Sequence, residues 1–371
     1  MSKGLVAIVS GLSMTVVALL GTAVGRAQEG HGSIAAWGAG PGSPPAPNTG
    51  FMAIAPGATH NLALKTNGSI VAWGNNQFGQ CNVPAPNTGF VAVAGNGTSN
   101  GAHSLGLSAD GSIVAWGANG YGECEVPEPN AGFRATAAGP FHNLAVRADT
   151  SIVAWGNNSS GQCDVPAPNI GFRVVAAGNF HSLAVKADGS VVAWGDDQWG
   201  QCDVPAPNTS FLAVAAGWRH SLGLKADGSI VAWGYNQFGQ CNVPVPNTDF
   251  VAVAAGYYHS LGLKGDGSIV AWGINASGQC SVPAPNTGFV AVAAAASYSL
   301  ALKAFYGDLN CDGAVDFGDI SPFVTALIGR AGYQARYPRC HWLNADIDAD
   351  GDVSFDDINP FVACLAAGEC P

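Results

Sequence analysis

The residues best suited to chemistry lie near the C-terminus, in two acidic stretches of one design. DLNCDGAVDFGD (308–319) places oxygen-bearing side chains at loop positions 1, 3, 5, 9 and 12, with glycine at position 6. DIDADGDVSFDD (346–357) repeats that layout. A hard cation such as calcium takes six to eight oxygen ligands, and the glycine allows the sharp turn such a loop needs. A merely acidic tail would not repeat the paired Gly and Val spacing, so two calcium ions are expected here.

Two further sets of reactive side chains recur at fixed positions earlier in the chain. His60, His103, His142, His181, His220 and His259 invite a metal reading, with Tyr298 standing at the same position in the last unit. The competing reading is a repeated hydrogen bond from imidazole to backbone at a strand start. It is preferred, because equivalent atoms on neighbouring repeats lie too far apart for one ion with bonds near 2 Å. Cys81, Cys124, Cys163, Cys202, Cys241 and Cys280 also share one position. A disulfide needs Cα atoms within about 7 Å, so these read as small hydrophobes rather than bridges.

These positions are set by a repeat whose landmark is the tryptophan of AWG: Trp37, Trp73, Trp116, Trp155, Trp194, Trp233 and Trp272, the last four steps all being 39 residues. Each unit reads as four short apolar segments separated by turn signals: FVAVAAG, HSLALK, SIVAW and GQCxVP. Pairs such as Asn67-Gly68, Asp110-Gly111 and Asp227-Gly228 favour a tight hairpin with positive φ at both central residues. Asp149-Thr150 is a poorer version of the same turn. Four strands per unit of this length describe a propeller blade. The series opens on a lone GSIAAW (32–37) and closes on a lone YSLALK (298–303), complementary halves of one unit. Pairing them would remove exposed strand edges. The fold expected is therefore an all-β, seven-bladed β-propeller over 31–304, closed by N- and C-terminal half-units, with a small α-helical calcium module over 307–371.

The phrases HSLALK-DGSIVAWG and NxxGQ, recurring over 31–303, resemble the regulator-of-chromosome-condensation repeat family. Secreted bacterial members, among them a propeller-type β-lactamase inhibitor, carry units running AWGxNxxGQxxVP. The resemblance implies the propeller fold strongly and function weakly. In the tail, each acidic loop runs into an apolar stretch, DISPFVTALIG or DINPFVACLAAG, in which Ser321-Pro322 and Asn359-Pro360 suit a helix start. Loop and helix twice over, across 307–367, resembles a type I dockerin. That resemblance implies calcium ligands at Asp308, Asn310, Asp312, Asp316 and Asp319, then at Asp346, Asp348, Asp350, Ser354 and Asp357. The carbonyls of Ala314 and Asp352 complete the sets, and a cohesin-like module becomes a partner. Positions 10 and 11 are Phe317-Gly318 and Phe355-Asp356, where cellulosomal dockerins often carry small hydroxyl residues. Cys311 is expected to pair with Cys340, stapling a module whose core is limited. Whether Cys364 and Cys370 bond each other stays open.

Composition bounds what remains. Charged residues are 11% of the chain, while Gly (51) and Pro (22) abound, a turn-rich β composition. The net charge of −11, with no cluster of Lys and Arg, excludes binding nucleic acid by counterion release. Residues 1–27 read as an export signal: Lys3, an uncharged stretch to Gly25, then small residues around Arg26. An uncleaved anchor is the alternative. Either places the remainder outside the cytoplasm, secreted or at the cell surface, with no membrane contact once a signal is removed. No catalytic grouping stands outside the repeat consensus. The first reading is accordingly a non-catalytic, monomeric binding or scaffold protein, whose propeller recognises a protein or glycan. An inhibitor of a secreted or periplasmic enzyme is second, and a polysaccharide-acting enzyme third. The ligand is expected at variable loops, aromatic more often than solvated loops require. One set precedes each histidine: Phe141, Phe180, Trp218, Arg219, Tyr257 and Tyr258. A second follows AWG: Phe78, Tyr121, Trp199 and Phe238. If the two sets fall on opposite faces, the first is the one expected to serve. The alternative is that these rings only cover blade edges.

Overall fold

The computed structural model describes residues 32–40, 42–99, 101–304, 307–310, 315–337, 342–345, 347 and 353–367. The export-signal reading of 1–27 lies outside them. In the unit that begins at Phe211, the strands Phe211–Ala216, His220–Lys225 and Ile230–Gly234 form one antiparallel three-stranded sheet. Among the described residues five such sheets occur, together with a six-stranded sheet that joins two sets of three. Its order is Phe289–Ala294, Tyr298–Ala304, Gly32–Gly38, Phe51–Pro56, His60–Lys65 and Ile70–Gly74. The opening half-unit thus pairs with the closing one, in register from Gly32 opposite Ala304 to Gly38 opposite Tyr298. A single pairing, Gly32 with Phe51, links it to the set that follows. Repeated three-stranded sheets of this kind are typical of a propeller.

The first strand of each sheet is innermost. Each packs against the first strand of the next, and Phe289–Ala294 packs against Phe51–Pro56. Small residues allow this crowding: Ala138, Ala177, Ala216, Ala255 and Ala294 face a common central space. The hydrophobic core lies between neighbouring sheets. Leu183, Val185 and Val191 of one sheet pack with Phe211, Val214 and Trp233 of the next.

Two expectations about the unit need correction. The GQCxVP segment is a run of turns, not a fourth strand. Its polar groups are satisfied locally: the Gln240 side-chain oxygen accepts from Phe238 N, and Asn236 Oδ1 accepts from Cys241 N. With proline following, few backbone donors remain to join a ladder. In the hairpin turns, positive φ falls on the glycine alone, for example Gly68 at 78° and Gly228 at 77°. The Asp side chain there accepts from the serine two residues on, as Asp227 does from Ser229. Thr150 is forced into the same left-handed region at φ 69°, so that turn is the poorer one, as its sequence indicates.

The tail forms the helices Ile320–Ile328, Arg330–Arg336 and Ile358–Ala367. The middle one was not foreseen. The N-caps also differ from expectation. Asp316 and Ser354, not Ser321 and Asn359, form capping boxes on the single turns Phe317–Asp319 and Phe355–Asp357, which lead straight into the longer helices. Among the described residues no helix is long and apolar enough to cross a membrane.

Candidate functional site

In five units the inner strand turns into the next through a tight Gly-x-x-His connection, at Gly57, Gly139, Gly178, Gly217 and Gly256, closed by bonds such as Gly178 N to His181 O (2.9 Å) and Gly217 N to His220 O (2.9 Å). The glycine is required because the imidazole lies on it: a Cβ at Gly178 would meet His181 Cε1 at 2.3 Å. The two residues between point to different neighbourhoods. Pro140, Asn179, Trp218, Tyr257 and Ala296 line a cavity of about 30 Å³ at the mouth of the central space. Their neighbours Phe141, Phe180, Arg219 and Tyr258 accept, through their carbonyls, the backbone N–H that follows each AWG: Asn157, Asp196, Tyr235 and Ile274, at 2.8–2.9 Å.

The two variable loop sets therefore share one face, and the possibility of opposite faces falls away. The reason was available in the hairpin: His220 pairs with Gly234 across an antiparallel pair, so the start of one strand meets the end of the other. Side chains from both sets are in contact. Tyr121 meets Phe141 edge-on at 5.7 Å, and Phe141 stacks on Phe180 at 5.3 Å. A second group joins Trp218 to Tyr257 (4.2 Å), Tyr257 to Tyr258 (6.5 Å) and Tyr258 to Phe238 (5.1 Å). Arg219 lies over the Trp199 ring at 5.5 Å. Tyr235, which the sequence reading passed over, packs against Trp199, Phe238 and Tyr258 together. The four-residue insertion lengthens the hairpin of Phe90–Thr98 and Gly101–Ser108, and the Tyr257 hydroxyl donates to Gly97 O at its tip (3.3 Å).

The histidines form a different device. Each Nε2 lies 2.7–3.0 Å from a side chain of the next sheet: His60 to Ser104, His103 to Asn143, His142 to Ser182, His181 to Ser221, His220 to Ser260 and His259 to Ser299. Tyr298 completes the circuit through its hydroxyl, 2.7 Å from Asn61 Oδ1. The serine hydroxyls already donate to the Gln carbonyl of the preceding GQC turn, as Ser221 does to Gln201 O (2.9 Å). Nε2 must then be the donor, which fixes a neutral tautomer. Trp233 Nε1 donates to the same Gln201 carbonyl (2.9 Å). The structural reading of the histidines holds, with the partner corrected from backbone to the neighbouring side chain. Burial holds His60, His142 and His220 down to about 3, and His181 and His259 to about 4. His103 is lowered for the same reason.

The six repeat cysteines are free and half-buried. Each thiol donates to a carbonyl six residues back, as Cys241 does to Tyr235 O (3.4 Å). Burial pushes those of Cys124, Cys163 and Cys280 up to about 11, and those of Cys202 and Cys241 to about 12. They stay protonated and unreactive at neutral pH.

In the tail, Asp308, Asn310, Asp316, Asp319, Ser354 and Asp357 are described. Asp312, Ala314, Asp346, Asp348, Asp350, Asp352, Cys311, Cys340 and Cys370 lie outside the described residues. Asp308, Asp319 and Asp357 are buried. Asp319 accepts from Leu309 N (2.6 Å), Asn310 N (2.9 Å) and Asp316 N (3.0 Å). Asp357 accepts from Ile347 N and Ser354 N in the matching places. Phe323 stacks on Phe361 at 4.2 Å between the two halves. Cys364 is buried and held in a disulfide. Among the described residues no three metal-binding side chains converge.

The pattern of the Regulator of chromosome condensation (RCC1) repeat matches residues 53–80, 133–162, 172–201, 211–240 and 250–279. No curated protein matches the sequence. Among solved structures, Prp20p from Saccharomyces cerevisiae, studied with its binding to Gsp1p and histones, is similar at TM-score 0.62 and 18% identity, over 77% of this chain and 95% of that one. Yeast RCC1 (Prp20) bound to Kap60 gives 0.63 and 17%, over 84% and 98%. The ectodomain of the Physcomitrella patens receptor kinase CR4 gives 0.55 and 23%, over 66% and 68%. At these identities the likeness is one of fold.

Proposed function

From a ring built of RCC1 repeats, we propose that this chain is an exported, non-catalytic binding protein. Its seven-bladed propeller takes a protein partner on the aromatic face, and its dockerin-like tail attaches it elsewhere with calcium. The aromatic face carries this reading. Aromatic side chains and arginine dominate binding hot spots, and here they gather from two loop sets onto one side. Tyr121, Trp199 and Phe238 are each 40% exposed or more. The fold relatives support a protein as partner, since Prp20p binds Gsp1p and histones and Prp20 binds Kap60. Replacing Phe180, Trp218 and Tyr258 together by Ala should lower partner affinity at least about 100-fold, each hot spot being worth about 2 kcal/mol or more. The check is capture from the secreted proteins of the source, wild type beside the triple variant, with circular dichroism to confirm the fold. Equal capture by both would place the site elsewhere.

Calcium is supported by the donors themselves. Asp308 and Asp319 are buried in one loop with Asn310 and Asp316, and buried like charges are tolerable when a cation neutralises them. Backbone N–H groups already donate to Asp319 and Asp357. Calorimetric titration should give two sites, and Asp312→Ala with Asp350→Ala should abolish both. Chelation should unfold the tail and leave the ring's tryptophan signal unchanged. Retention of two sites in the double variant would refute the ligand assignment. Attachment through a cohesin-like partner is supported by an exposed apolar row at equivalent places in the two halves: Phe317, Ile320 and Val324, then Phe355, Ile358 and Val362. Export fits the disulfide at Cys364.

A further inference from the structure

The two ends of the strands differ in charge. Glu123, Glu125, Asp164, Asp196, Asp197 and Asp203 all lie in the turns that follow AWG, on the aromatic face. Of the basic residues between 32 and 304, Arg219 alone lies there. The others stand at the far end of the strands. Lys186, Lys225 and Lys264 each close a second strand, and Arg134 and Arg173 stand next to the phenylalanine that opens a first one. At that end the charges balance, since Lys186, Lys225 and Lys264 are each followed two residues on by the aspartate of the hairpin turn. The aromatic face has no such balance.

The excess is sharpest beside Trp199. In most units the turn is held by an amide: Asn76 Nδ2 donates to Asn82 Oδ1 (2.7 Å), Asn158 Nδ2 to Asp164 Oδ1 (2.8 Å) and Asn236 Nδ2 to Asn242 Oδ1 (2.8 Å). The matching places here hold Asp197 and Asp203, two acceptors with no N–H to share, and both are exposed. Burial first, then the charges of Asp197, Asp196 and Asp203, push the Cys202 thiol up to about 12, so all three carboxylates act on one turn. They do not converge as metal ligands would. Like charges set near one another cost the fold stability, and a cationic partner would offset that cost. Trp199 itself is 42% exposed, and the Arg219 guanidinium lies over its ring at 5.5 Å. The chain thus already holds one cation on this face in the way a partner's could be held, between an aromatic ring and carboxylates.

We infer that the aromatic face takes a basic protein partner, whose arginine and lysine side chains lie over its exposed rings and pair with the carboxylates of the turns after AWG. This rests on the proposed binding function and names the partner's chemistry. The probe is fluorescein-labelled octa-arginine with the full chain at about 50 mM salt, and labelled octa-glutamate is its counterpart. Octa-arginine should bind and octa-glutamate should not. Replacing Asp164, Asp197 and Asp203 together by Asn should weaken octa-arginine at least about tenfold. The same change at Asp188, Asp227 and Asp266, at the far end, should alter it by less than about twofold. Trp199→Ala, which keeps every carboxylate, should weaken it about threefold or more. Circular dichroism and the melting midpoint check the fold, and Asp197→Asn should not lower the midpoint, because an amide there can donate to Asp203. Equal loss in the two Asn variants would reduce the effect to net charge and overturn the inference. So would absent octa-arginine binding, octa-glutamate binding as tight, or full affinity in Trp199→Ala. Partner capture abolished in the Phe180, Trp218 and Tyr258 alanine variant, beside a failed octa-arginine test, would leave the binding function standing with a partner of other chemistry.

Discussion

Lowering the pH from about 6.5 to about 4.5 should unfold the ring cooperatively, with an uptake of about six protons. The six circuit histidines carry this effect. Each is buried and neutral in the fold, its pKa held below the free value of 6.5: about 3 for His60, His142 and His220, about 4 for His181 and His259, and lowered also for His103. A depressed folded-state pKa means the unfolded chain binds the proton first. The stabilisation is therefore complete above about pH 6.5 and drains away as pH falls toward the folded values. At about pH 5 each of the five held to about 3 or about 4 has lost about 2 kcal/mol, on the order of 10 kcal/mol together, comparable with a whole domain's stability. The turn carboxylates Asp110, Asp188 and Asp227 are shifted down by their serine partners and act in a lower window, below the ordinary aspartate value of 3.8. Tryptophan fluorescence and urea titration across this range provide the measurement. Stability unchanged between about pH 7 and pH 4 would contradict the neutral circuit.

Removing residues 32–38 should cost more than any single core substitution. That strand forms seven register pairs with Tyr298–Ala304. It also buries Ile34 and Trp37, and Trp37 Nε1 donates to Gln279 O at 2.8 Å. Loss of an aromatic and a branched aliphatic from a core costs about 5 kcal/mol or more in sum. The deletion also strips Tyr298–Ala304 of its outer neighbour and exposes an apolar edge. Trp37→Ala alone should take about 3–5 kcal/mol. Thermal unfolding of both variants beside the parent is the check, and an unchanged midpoint in the deletion would mean that closure does not hold the ring.

The period, the AWG landmark and the two half-units made the strands and their closure legible, because period-2 burial and hairpin turns are local properties. The misreadings were at places where side chains replace backbone. GQCxVP looks like a strand by its apolar content, but Asn236 and Gln240 bond its loop themselves. The helix caps shifted one turn earlier because Asp316 and Ser354 serve both as loop residues and as caps. The partner of each histidine lies 40 or more residues away, beyond any local rule, although the Ser or Asn following every histidine was its visible trace. Tyr235 escaped notice because only its contacts with Trp199, Phe238 and Tyr258 reveal it as part of the cluster.

The seam between Gly32–Gly38 and Tyr298–Ala304 is a head-to-tail contact between different surfaces of one chain. Such contacts either close on themselves or propagate from molecule to molecule. Nothing in the strand pairing itself separates the two outcomes, since a second chain could donate the same seven residues. What favours the monomeric ring is tethering: the chain's own first strand is present at an effective concentration that for linked partners reaches the millimolar range. At lower protein concentrations the intramolecular strand fills the seam first. Crowding unfolded chains together, as on rapid neutralisation from acid at high concentration, removes that advantage and opens the way to strand-exchanged chains of rings.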